Sequence, residues 1–134
     1  MTVSPYIAFQ GNCKDAIEFY KSALDAQVLF MQKVGSSPMP EMGPAENIMH
    51  CTLQAGDSTI MMCDDPRPGS VTAGGNISLA IGLDDPERAR AVFANLAEAG
   101  TVIMPLERTY WAEAFGMVID KFGIKWMINC ESPK

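Results

Sequence analysis

Asn12-Cys13-Lys14-Asp15-Ala16-Ile17-Glu18-Phe19-Tyr20-Lys21-Ser22-Ala23-Leu24 decides the fold, because its pattern returns 73 residues later. Asn12 suits a helix N-cap, and Asp15 places an acid where the first turn favours one. Ala16, Ile17, Phe19, Tyr20, Ala23 and Leu24 then recur at helical spacing and form one apolar stripe. The shift lays Asn12 on Asp85, Ala16 on Ala89, Phe19 on Val92 and Tyr20 on Phe93, so two caps and two stripes coincide.

Working outward, the flanks repeat as well. Pro5 to Phe9 reads as a strand before the first helix, and Gln27 to Val34 as one after it. Gly35 to Asn47 holds three prolines and two glycines and reads as a loop. Ile48 to Gln54 and Ser58 to Cys63 form a hairpin closed at Gly56-Asp57, and Asp64 to Asn76 is a linker. In the second copy, Ile77 to Leu83 alternates cleanly. Asp85 caps, Pro86 opens a helix that runs to about Ala99, and Gly100 ends it. Thr101 to Glu107 is a strand, and Phe115 to Asp120 pairs with Lys125 to Cys130 around Lys121-Phe122-Gly123-Ile124.

The fold class is therefore α+β. Two βαβββ modules, about 4–65 and about 77–131, make one domain of residues 1–134. A four-stranded sheet with one helix leaves a face bare, so pairing of modules is expected, enclosing a trough. Pairing within the chain and pairing across a homodimer both satisfy this.

Composition narrows the function. The 134 residues are 48% hydrophobic and 19% charged, with a net charge of −6, which is globular and unsuited to nucleic acid or anionic membrane. No apolar run approaches the roughly 18 residues of a membrane span, and the start lacks the features of a secretory signal. Cys13, Cys51, Cys63 and Cys130 have no regular spacing and read as buried residues of a reducing compartment, so a cytoplasmic location is expected. Ten methionines supply adaptable apolar filler, for core or pocket alike.

Two stretches carry a family resemblance. Ser4-Pro5-Tyr6-Ile7-Ala8-Phe9, with Gly11-Asn12, Ala16 and Phe19-Tyr20, resembles the opening of PhnB-like proteins. Trp111 to Asn129, above all Asp120-Lys121-Phe122-Gly123 followed by Trp126, resembles their ending. These belong to the glyoxalase, bleomycin-resistance and extradiol-dioxygenase superfamily, also called vicinal oxygen chelate. The resemblance implies paired βαβββ modules, commonly dimeric. Methyltransferase labels attached to the branch find no support, since no Gly-rich loop leads from a strand into a helix.

In metal-dependent members, ligands come from the first and last strands of each module. By the resemblance those positions fall on Pro5, Met61 (within one residue), Ser78 and Met127. A divalent ion of that kind needs nitrogen or anionic oxygen, and none of the four supplies it. No metal and no other cofactor is therefore expected. His50 is the one histidine. Pairing across Gly56-Asp57 sets it opposite Cys63, on a face with Thr52 and Met61, and sets Cys51 and Cys63 on opposite faces, against a disulfide. One imidazole and one thiol do not complete a metal site; Glu46 is the other nearby donor.

Asp64-Asp65 and Asp84-Asp85 sit at strand ends, where capping explains them better than acid–base work. No Ser-His-acid or Cys-His arrangement can be assembled. Trp126 shares parity with Ile128 and belongs on the helix side. Trp111 suits either stacking on a flat ligand or sealing an interface. The 35–47 loop suits a lid or a dimer arm.

The expected function is binding of a small, mainly apolar or aromatic molecule in the trough, lined by Ile7, Phe9, His50, Met61, Trp111, Val118 and Met127. The alternatives are a metal-dependent lyase, transferase or dioxygenase, and an interaction protein whose trough is filled by its own side chains.

Overall fold

The computed structural model describes residues 1–131 and divides the chain into two compact units, Met1–Thr72 and the part from Ala73 onward. Each holds one four-stranded sheet and one α-helix.

The first unit runs β1 (Tyr6–Phe9), α1 (Cys13–Leu24), β2 (Gln27–Lys33), β3 (Ile48–Ala55) and β4 (Ser58–Asp64), with sheet order β1-β4-β3-β2. The β1–β4 pair is parallel and the others antiparallel. Register decides which residues meet the helix. Leu53 pairs with Ile60 and Cys51 with Met62, and all four are buried. Ala16, Ile17, Tyr20 and Leu24 of α1 complete that core.

The expected cap at Asn12 makes no side-chain hydrogen bond. Asp64, buried at the end of β4, takes the task. Its Oδ1 accepts the amides of Gly11 (2.8 Å) and Cys13 (3.0 Å), and its Oδ2 accepts that of Ile48 (2.8 Å). One carboxylate thus closes the helix start and fixes where β3 begins.

The second unit repeats the order with β5 (Leu79–Leu83), α2 (Pro86–Ala97), β6 (Thr101–Glu107), β7 (Ala112–Ile119) and β8 (Lys125–Glu131), as β5-β8-β7-β6. β5 starts two residues later than the alternation suggested, and β7 starts three earlier. The helices stand 73 residues apart, as the repeat requires. The first strands stand 74 apart, since Phe9 pairs with Asp64 and Leu83 with Cys130 at the same point of each sheet. The extra residue is absorbed in the strand–helix connection. Here Asp85 caps its own helix, accepting the Glu87 amide at 3.0 Å, with Pro86 at the first position.

The β7–β8 turn is knotted by Asp120, 3% exposed. Oδ1 accepts the amides of Phe122 (2.8 Å) and Ile124 (3.1 Å), while Oδ2 accepts the indole N–H of Trp126 (2.8 Å). Gly123, at φ +87°, makes the turn that only glycine adopts readily. The spacing from Asp120 to Trp126 therefore has a local mechanical reason.

The 35–47 loop is neither open nor featureless. Two short 3-10 turns, Val34–Ser36 and Pro40–Met42, lie within it, and amides of Val34 and Gly35 reach the carbonyls of Asn47 and Ala45. Its ends are held together in the manner of an Ω-loop.

Candidate functional site

In each sheet one face carries the helix and the opposite face is uncovered by any element of its own unit. On the first sheet, the partners of that bare face are Tyr6 with Met61, Ala8 with Cys63, Thr52 with both Met61 and Phe30, and Gln32 with His50. Three of them are wired together. The Tyr6 hydroxyl lies 3.2 Å from His50 Nδ1, and His50 Nε2 lies 3.0 Å from Thr52 Oγ1. The tautomer sets which of each pair donates. Partial desolvation of the Tyr6 phenol, with the Cys63 thiol beside it, pushes its pKa up to about 12. Tyr6 therefore stays a neutral phenol across the physiological range. The rings of Tyr6 and Phe30 flank His50 at centroid distances of 5.7 and 6.0 Å. His50 and Met61 thus stand on the expected face, His50 as a hydrogen-bonded wall residue.

On the second sheet the bare face pairs Met117 with Met127, Phe115 with Asn129, and Met104 with Met117. Trp111, half-exposed, stands at the start of this face. The Thr109 hydroxyl fixes it by accepting the amides of Trp111 (3.3 Å) and Ala112 (3.1 Å). Its ring meets Phe115 edge to face at 5.3 Å.

Three expected lining residues lie elsewhere. Ile7 and Phe9 pair with Met62 and Asp64, on the helix-covered face, and Phe9 is buried. Val118 pairs with Trp126, and both are buried under α2's side of the sheet. On the bare faces stand Tyr6 and Phe30 of the first sheet and Phe115, Met117 and Asn129 of the second.

The metal positions implied by the family resemblance do not fit a divalent ion. Pro5 offers only its backbone carbonyl, which accepts the Met61 amide at 3.0 Å. Met61 and Met127 offer thioethers, and Ser78 a neutral hydroxyl. Among the described residues, no three of His, Cys, Asp or Glu gather where they would hold an ion. Glu46 is engaged by Lys33 at 2.8 Å, which holds its carboxyl below the usual range. Asp65 and Asp85 have structural partners too: Asp65 binds Arg67, and Asp85 caps α2. Cys51 and Cys63 are on opposite faces, and all four cysteines are free thiols.

Two βαβββ units, each with a bare, aromatic and sulfur-rich sheet face, define the architecture of the glyoxalase fold. The chain belongs to the Glyoxalase/Bleomycin resistance protein/Dioxygenase superfamily, whose sequence profile matches residues 2–128. It is 36% identical to protein YjdN of Escherichia coli over 140 residues, covering 96% of this chain and 95% of that one. Its structure is similar to that of protein PA1353 from Pseudomonas aeruginosa, at 35% identity and TM-score 0.86, covering 99% of both chains. It also shares its fold with a PhnB protein from Bacillus cereus described as a putative 3-demethylubiquinone-9 3-methyltransferase. There the identity is 23% and the TM-score 0.84, covering 97% of this chain and 99% of that one. No helix of the described residues is long and apolar enough to cross a membrane.

Proposed function

We propose that this chain binds a small, mainly apolar or aromatic molecule against its bare sheet faces, in the trough expected of paired modules, without a metal ion. The observation that carries this reading is the make-up of those faces. Met61, Phe30 and Tyr6 on one, beside Gln32, His50 and Thr52, and Met104, Phe115, Met117, Met127 and Trp111 on the other, beside Asn129, supply apolar and aromatic surface with polar groups set among it. Such lining suits a ligand held by shape and stacking. The donor set at the family's metal positions argues in the same direction, because Lewis-acid chemistry needs ligands that Pro5, Met61, Ser78 and Met127 do not provide.

A homodimer goes with this reading. The outer strands β2 and β6 expose Val28, Leu29, Phe30 and Met31, and Val102, Ile103 and Met104. Apolar side chains on both faces of an outermost strand favour a protein neighbour. The free thiols, three of them buried, fit a reducing, cytoplasmic setting.

The test is metal content of the tag-free protein after incubation with Zn²⁺, Ni²⁺, Mn²⁺ and Fe²⁺ and dialysis, paired with calorimetric titration of an anilinonaphthalene sulfonate dye. The reading expects no retained stoichiometric ion and saturable dye binding with the dye recovered unchanged. One tightly held ion per chain would overturn it.

A further inference from the structure

Asn129 Oδ1 is buried without a hydrogen-bond partner among the described residues, alone of the buried side-chain oxygens and nitrogens there. Elsewhere this protein leaves little unpaired: Asp64 and Asp120 each accept three hydrogen bonds. An amide oxygen removed from water without a donor costs about 1–3 kcal/mol, and such a group calls for a specific explanation.

Its place gives one. Asn129 lies on the bare face of the second sheet, directly across from Phe115. Phe115 in turn meets Trp111 edge to face, so the amide sits at the foot of an aromatic wall. The neighbours along the face are Met117 and Met127, whose unbranched thioethers shift with little penalty. A ligand edge that displaces those thioethers from beside the amide reaches the oxygen without the backbone moving. The corresponding position of the first sheet carries Cys63, so the amide is a feature of the second unit alone.

We infer that Asn129 is a recognition residue for a planar heteroaromatic ligand whose edge carries an N–H beside a carbonyl, as in a lactam. Asn129 Oδ1 accepts the ligand N–H, the neighbouring N–H₂ of the same side chain donates to the ligand carbonyl, and Phe115 and Trp111 line the ring. This two-point edge match explains why an amide stands among methionines and aromatics, where leucine would fill the space without an orphaned oxygen. The inference rests on the small-molecule reading above and narrows its ligand class.

The experiment titrates ¹⁵N-labelled protein with three probes: 2-quinolone, N-methyl-2-quinolone and quinoline. The Asn129 side-chain N–H₂ resonance is the local readout. The expected result is that 2-quinolone binds about tenfold more tightly than its N-methyl analogue, a difference of about 1.4 kcal/mol, because the analogue leaves the amide oxygen unpaired. Asn129→Leu should erase that difference and raise the urea midpoint without ligand. Equal binding of 2-quinolone and the N-methyl form to the wild type overturns the inference and leaves the small-molecule reading standing, with no need of a variant. Absence of binding by all three overturns the inference, while the dye titration decides the small-molecule reading by itself.

Discussion

Asp120→Ala tests one of the two buried carboxylates that each hold three donors. The carboxylate accepts two backbone amides of the β7–β8 turn and the indole N–H of a Trp126 that is 2% exposed. Removing it strands the indole donor in the core, at about 1–3 kcal/mol. The Phe122 and Ile124 amides are only partly buried and regain some water, so each adds about 1 kcal/mol. The expected loss is about 3–5 kcal/mol, a large share of the roughly 5–15 kcal/mol of an ordinary domain. Asp120→Asn keeps the acceptor for the two amides but turns an N–H₂ towards the indole, and should lose about 1–3 kcal/mol. The assay is urea unfolding followed by Trp126 fluorescence in a Trp111→Phe background, so that the signal comes from the indole that Asp120 holds. With a slope of about 2 kcal/mol/M, the alanine variant should unfold at roughly 2 M less urea. A shift below about 0.5 M for alanine, or an asparagine variant as damaged as alanine, would refute the reasoning.

The other predictions concern packing and pH. A Cβ at Gly116 would lie 2.8 Å from the Phe93 ring and 2.9 Å from the Leu106 backbone, so Gly116→Ala should cost about 1–3 kcal/mol, read from the urea midpoint. Burial pushes the Cys51 thiol up to about 11 from an ordinary 9.0, and burial with the Asp64 charge pushes Cys13 higher still. Because the folded values exceed the unfolded ones, this contribution to stability is complete below pH 9 and is lost as pH rises towards 11 and beyond. Thiolate absorbance should therefore rise together with alkaline unfolding. At pH 8, an alkylating reagent should reach Cys63 before the buried Cys13, Cys51 and Cys130, and four thiols reacting in one phase would contradict the structure.

The repeat was legible because caps and apolar stripes are local signals, and both helices and all eight strands fall where periodicity and turn residues put them, within a few residues. Facing was legible where pairing could be counted from a tight turn. Gly56-Asp57 set Ala55 opposite Ser58 and so placed His50 and Met61 correctly. Tyr6-Ile7-Ala8-Phe9 has no polar alternation, and its facing comes from parallel pairing with a strand more than fifty residues away. Hence Ile7 and Phe9 were assigned to the wrong side. Val118 was misplaced although its partner Trp126 was read correctly; counting across the Asp120–Ile124 turn joins the two. Asn129 carries no signal in sequence, since an orphaned oxygen exists only once its surroundings are folded. Asp64 likewise looked like one of two adjacent strand-end acids, and its hold on α1 and β3 depends on long-range closure.

The two helices consequently differ in what they need in order to form. Asp85 and Pro86 give α2 a starting signal written within its own few residues, so its first turn can be laid down early. The opening turn of α1 is closed by an acid 51 residues downstream from Cys13, and the same acid receives Ile48. Its stabilisation waits until β4 has been made and brought back against the helix. During synthesis, then, α1 has its closing carboxylate only once β4 has left the ribosome, whereas α2 carries its own from the start.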